Sequence, residues 1–167
     1  MKNLFSIIFI LTITTLSAQD FSVATFSEKW EHSKSYLLQI AQSMPEEKYD
    51  YKPTEREMSF KEQLLHIQQN MNWLGKTYFE ADIMDEKVEN SNKEALLKSI
   101  STSFDAVKNA VIKTPDSTLV DKVDFFAGKK TKLQILNLLQ DHVTHHRGQL
   151  IVYLNLNNIK PPKYVGW

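Results

Sequence analysis

The sequence of 167 residues contains no cysteine. No disulfide can therefore cross-link the fold, no lipid can be attached through a thiol, and no protein thiol can act as a nucleophile. The hydrophobic core must supply the stability alone, and any nucleophile must come from outside the chain.

An excess of charge of one sign is also missing. Lysine and arginine total 20, aspartate and glutamate total 20, and the two signs alternate along the chain. Binding to nucleic acid requires basic side chains clustered on one face, and binding to an anionic membrane surface requires the same. We therefore expect no nucleic-acid partner and no electrostatic attachment to a membrane.

Long apolar runs are absent except near the start of the chain. The run over residues 4–16 has about 13 residues, whereas a membrane-spanning helix needs about 20. It follows the positive charge of Lys2 and ends in small residues, as in a signal peptide. We expect a signal peptide over residues 1–18 and a secreted or periplasmic domain over residues 19–167 that does not span a membrane. An uncleaved anchor stays open, because the third position before the expected cut is not a small residue.

Apolar residues at intervals of three and four predict four amphipathic helices. Their expected bounds are from about Phe26 to Met44, from after Ser59 to about Glu80, from Asn90 or Ser91 to before Pro115, and from about Thr131 to Asn155. Only a short extended piece is expected between the last two, around residues 123–126. The sequence predicts an all-α, antiparallel four-helix bundle, and an exposed helix face leaves a homodimer possible.

Two histidines in the fourth predicted helix, His142 and His146, are four residues apart. Residues at this spacing lie above one another on a helix, so both imidazoles can face one metal ion. Burying two imidazoles without partners would cost a few kcal/mol, and a shared ion would satisfy both. Two alternatives stay open: a pairing of His142 with His145, and two core histidines that each have one hydrogen-bond partner.

A third ligand must come from another helix. His66 lies at the border of the apolar stripe of the second helix and can face a cleft, whereas His32 lies among charged residues and is expected at the surface. Asn70 and Trp73 follow His66 by one and two turns, and we expect them to line the same pocket.

Several segments resemble the DinB-like (DinB/YfiT) superfamily over nearly all of the mature chain. They are Leu64-Leu65-His66-Ile67 after the loop Lys52-Pro53-Thr54, the segment from His142 to Gln149 that ends in His-Arg-Gly-Gln, and the tail Pro161-Pro162-Lys163-Tyr164. This resemblance implies a divalent cation, nickel or zinc, held by His66, His142 and His146 at one end of the bundle. It also implies an open coordination position for water or a substrate.

Residues next to the histidines are candidates for catalysis. Gln149 can hydrogen-bond a ligand, and Arg147 can bind an anionic substrate or form an ion pair with a carboxylate such as Asp141. Gly148 is expected to allow close helix packing.

The chain lacks the His-Glu-x-x-His pattern of zinc peptidases and the Glu-x-x-His pattern of di-iron bundles. The first functional hypothesis is a metal-dependent enzyme, either a hydrolase or a thiol-dependent transferase, acting on an unknown small molecule. Export favours the hydrolase, because low-molecular-weight thiols are concentrated in the cytoplasm. The second is a non-enzymatic envelope protein that binds a metal or a small ligand. The third is a haem bundle with histidine and methionine as axial ligands.

Overall fold

The computed structural model describes residues 22–84 and 92–165, so the predicted signal peptide over residues 1–18 lies outside it. The helices are α1 (Val23–Ser43), α2 (Phe60–Phe79), α3 (Lys93–Ile112) and α4 (Lys132–Leu156). Single 3₁₀ turns lie at Glu46–Lys48 and Asp116–Thr118, and the short strands β1 (Lys122–Val123) and β2 (Lys130–Thr131) form an antiparallel pair. The predicted all-α four-helix bundle is confirmed.

Side chains that accept hydrogen bonds from backbone N–H groups set the helix starts. Ser59 forms a capping box at the start of α2, where the helix was predicted to begin, and Thr131 forms another at the start of α4. The helix α1 begins earlier than predicted, because Ser22 caps it by accepting from the N–H of Thr25. Asn92 caps α3, whereas the predicted starting residues 90 and 91 lie outside the described residues.

The helices α1 and α2 each pack against both α3 and α4. On α2 and α4, Gln63 contacts Tyr153 while His66 contacts His142, so these helices run antiparallel. The antiparallel register brings the N-terminal half of α2 beside the C-terminal half of α4. None of the described helices has both the length and the apolar character that a membrane span requires.

Aromatic side chains fill the centre and close one end of the bundle. Trp30 is fully buried between Phe26 and Phe104, and its indole N–H donates to the Phe104 carbonyl oxygen at 3.0 Å. Tyr49 is buried after α1 and donates its hydroxyl to the Ala41 carbonyl oxygen. Tyr49 also packs against Phe60 at the start of α2, so it covers an end of the bundle.

The helices α2 and α3 run parallel and approach each other closely at Gly75. A Cβ atom added at Gly75 would lie 2.8 Å from Cγ2 of Val107. At Gly148 of α4, by contrast, an added Cβ would meet nothing within 4 Å. The expectation of close helix packing at Gly148 is therefore wrong, because this residue lies on the exposed side of its helix.

The two glycines allow a matched test of packing. We expect Gly75→Ala to lower the free energy of unfolding by about 1–3 kcal/mol, because the methyl group overpacks the α2–α3 contact. Gly148→Ala should raise it by about 0.5–1 kcal/mol, because alanine favours the helix and the space is open. Urea unfolding of the metal-free proteins measures both values, and effects of the same sign would contradict the structure.

Candidate metal centre

Three histidines meet where α2 faces α4. The Nε2 atoms of His66 and His142 lie 3.2 Å apart, and the ring centroid of His146 lies 4.6 Å from that of His66 and 4.5 Å from that of His142. One ring nitrogen from each histidine lies within 4.8 Å of the other two. The predicted pair at four-residue spacing and the predicted third histidine are therefore brought together.

The spacing of these nitrogens suits a shared ion. With zinc–nitrogen bonds of about 2.0–2.1 Å, a tetrahedral ion separates its nitrogen ligands by about 3.3 Å. The observed 3.2 Å between His66 and His142 matches this value. The cluster could thus hold a metal ion after a small movement of His146.

The other two histidines lie outside the cluster. His145 is exposed, and its ring packs edge-on against His146 at 4.8 Å between centroids. His32 is half-buried on α1, so the expectation of a surface position was only partly correct. The alternative pairing of His142 with His145 is not the one that the fold brings together.

Burial favours the neutral form of two of the clustered imidazoles, those of His142 and His146. Burial and, to a smaller extent, repulsion from a positive charge on neighbouring His146 or His66 together lower the pKa of His142 to about 4. Burial also lowers the pKa of His146, with His66 contributing in the same direction. Neutral imidazoles have a free nitrogen lone pair at neutral pH, which is the form that binds metal ions.

This pKa shift predicts how the stability of the metal-free protein depends on pH. Unfolded His142 has a pKa near 6.5, so between pH 6.5 and 4 the unfolded chain binds a proton that the folded chain does not. The stability gained from neutral His142 is complete above pH 6.5 and is lost as the pH falls toward 4. We expect a loss of about 1–2 kcal/mol between pH 7.5 and 5, measured by urea unfolding. His142→Ala should show a smaller loss, and an equal loss would contradict this assignment.

Two glutamines surround His146. Its Nδ1 lies 2.6 Å from Oε1 of Gln63 and 2.8 Å from Oε1 of Gln149. Gln149 therefore contacts a candidate ligand ring, and its predicted catalytic role stays a prediction. Sequence reasoning missed Gln63, although a glutamine one helical turn before His66 was a usable signal.

Arg147 is buried against α1. Its guanidinium lies over the ring of Tyr36, 5.2 Å from the centroid, and Tyr164 of the C-terminal tail packs edge-on against Tyr36. No described carboxylate forms an ion pair with Arg147, so the expected pairing with Asp141 is wrong. The register of α4 against α1 instead provides an aromatic face that attracts the cation. A catalytic role for Arg147 stays a prediction.

A groove of 420 Å³ lies beside His66. Side chains of the loop from Lys52 to Met58 line it together with residues of α2, and its volume falls within the range of about 300–1,000 Å³ that is common for small-molecule sites. Asn70 and Trp73 do not line this groove. Trp73 is instead stacked on Phe125 at the tip of the β1–β2 hairpin, which sequence periodicity could not place.

Comparisons with known proteins agree with the fold described above. The chain is 24% identical over 120 residues to the uncharacterized protein YjoA of Bacillus subtilis strain 168. These aligned residues cover 70% of this chain and 78% of YjoA. The crystal structure of YjoA, a DinB-like protein, has a TM-score of 0.70 at 20% identity and covers 84% of this chain and 96% of that one. A DinB-like protein from Bacillus cereus has a TM-score of 0.74 at 16% identity, covering 86% and 97%. The model of the DinB family matches residues 16–164, and the chain therefore belongs to the DinB family.

Proposed function

We propose that this protein binds a divalent metal ion, nickel or zinc, through His66, His142 and His146, and uses it to promote hydrolysis or group transfer on a small molecule. The observation that carries the proposal is the 3.2 Å separation of the Nε2 atoms of His66 and His142, together with one ring nitrogen from each of the three histidines lying within 4.8 Å of the other two. Two unprotonated imidazole nitrogens that face each other do not attract, because both are acceptors, unless a proton or a cation lies between them.

The number of ligands supports an open site. Structural zinc sites use four protein ligands, whereas catalytic sites use three and leave one position open. Among the described residues, the cluster consists of three histidines, and no carboxylate supplies a fourth ligand. When bound, a divalent cation supplies Lewis acidity to the group in the open position.

The groove supplies a route to the cluster, because His66 belongs to both. Side chains of both signs line it, including Lys52, Arg56 and Glu57. A small polar substrate suits these walls better than an apolar one, since burying unpaired charges against an apolar group is unfavourable. The expected export of the chain further favours hydrolysis over thiol transfer.

Cobalt substitution tests both parts of the proposal. Co²⁺ added to the metal-free protein should give visible absorption bands, and azide should change them by occupying the open position. His145→Ala, which alters an exposed neighbour outside the cluster, should behave like the wild type. The absence of cobalt bands would overturn metal binding. Bands that neither azide nor a small thiol changes would indicate a closed site and overturn the enzymatic part, leaving a metal-binding protein.

A further inference from the structure

A chain of hydrogen bonds leads from His146 to the backbone of the loop that lines the groove. At its far end, the hydroxyl of Tyr153 donates to the carbonyl oxygen of Met58 at 2.8 Å. A carbonyl oxygen can only accept, and a tyrosine hydroxyl has a single hydrogen. The oxygen of Tyr153 can therefore only accept from its other neighbour.

That neighbour is the side-chain amide of Gln63. Its Nε2 lies 3.4 Å from the Tyr153 hydroxyl oxygen and donates to it. The other end of the amide, Oε1, must then face Nδ1 of His146, at 2.6 Å. Because an amide oxygen only accepts, Nδ1 must carry the proton, and Nε2 of His146 keeps its lone pair.

Gln149 does not fix the proton in the same way. Its Oε1 lies 2.8 Å from the same Nδ1, but no other described hydrogen bond holds its amide. The amide of Gln149 can turn to present either an oxygen or an NH₂ group, whereas that of Gln63 is fixed by Tyr153. All three members of the chain, Gln63, Tyr153 and His146, are at most 8% exposed, so solvent competes poorly for these bonds.

We propose that Gln63 and Tyr153 are positioning residues that set the tautomer and ring orientation of His146, so that Nε2 is the nitrogen offered to the metal. The consequence for metal affinity rests on the proposed function, but the tautomer does not. Hydrogen bonds of this kind also raise the basicity of a ligating imidazole, and their loss typically costs about 10- to 100-fold in metal affinity.

The variants for the test are Gln63→Leu, Tyr153→Phe and Gln63→Glu, with a matched control on the same helix. Gln68 is also buried, and it donates to the hydroxyls of Ser99 and Ser103 in the α2–α3 interface. Gln68→Leu therefore removes buried hydrogen bonds from α2 without touching a histidine. Gln63→Glu keeps an acceptor for the N–H of His146.

Two readouts separate positioning from general stability: the ¹⁵N shifts of the His146 ring in the metal-free protein, and the affinity for Co²⁺. We expect the wild type to be protonated at Nδ1. Gln63→Leu should give a mixture of tautomers and weaken Co²⁺ binding by about 10- to 100-fold. Tyr153→Phe should change the ¹⁵N shifts and the Co²⁺ affinity in the same direction but to a smaller extent. Gln63→Glu should return the ¹⁵N shifts and the Co²⁺ affinity to those of the wild type. Gln149→Leu should leave the tautomer unchanged, and Gln68→Leu should change neither readout.

Unchanged ¹⁵N shifts in Gln63→Leu would overturn the inference, as would an equal loss of Co²⁺ affinity in Gln68→Leu. If the wild type binds no Co²⁺ at all, the proposed function fails. The ¹⁵N shifts of metal-free Gln63→Leu would still decide whether Gln63 sets the tautomer.

Discussion

Replacing His142 by alanine is expected to lower the bound metal from about one ion per chain to nearly none, while the helical content stays unchanged. Removing this ring leaves two imidazoles, from His66 and His146, which is one ligand fewer than a catalytic zinc site normally provides. The fold should tolerate the change, because alanine favours a helix and Nδ1 of His142 is buried without a described hydrogen-bond partner. Elemental analysis of protein purified without added metal, together with circular dichroism, measures both quantities.

His145→Ala is the matched control for this experiment. It lies on the same helix, three residues from His142, but its side chain is exposed and outside the cluster. It should keep the metal content of the wild type. Full retention of metal by His142→Ala would contradict the assignment of this ligand, and so would equal losses in both variants.

The largest expected loss of stability is at Trp30. Trp30→Ala should lower the free energy of unfolding by about 3–5 kcal/mol, because the change leaves a large cavity between Phe26 and Phe104. It also removes the hydrogen bond that the indole N–H donates to the Phe104 carbonyl oxygen. Urea unfolding of the metal-free protein measures the difference.

Trp73 provides the comparison, because its side chain is 42% exposed and packs on the hairpin instead of in the core. Trp73→Ala should cost about 1 kcal/mol or less. Similar losses for the two tryptophans would contradict the burial that distinguishes them.

The parts of the fold that depend on local signals could be predicted from the sequence. Ser59 with Glu62 three residues later is a complete capping box within one helical turn, and the structure contains it. The pair His142 and His146 is likewise a local feature, since the spacing alone places both on one face of α4. His66 needed the family resemblance, because nothing in its own helix distinguishes it from an ordinary histidine at the edge of a core.

Other features depend on which helices are neighbours and in what register. Gly75 and Gly148 look alike in the sequence, yet only Gly75 lies against another helix. An ion pair with Asp141 was one of two alternatives for Arg147, but the register of α4 against α1 places its guanidinium over Tyr36. The chain through Gln63 and Tyr153 requires α2 and α4 to be antiparallel, which periodicity within each helix does not reveal.

X-ray absorption spectroscopy of the zinc-loaded protein tests the metal centre most directly. The proposed site predicts a first shell at about 2.0–2.1 Å, with the multiple scattering of about three imidazole rings and one further oxygen or nitrogen ligand from outside the chain. Scattering from one imidazole or none would contradict a centre built from His66, His142 and His146.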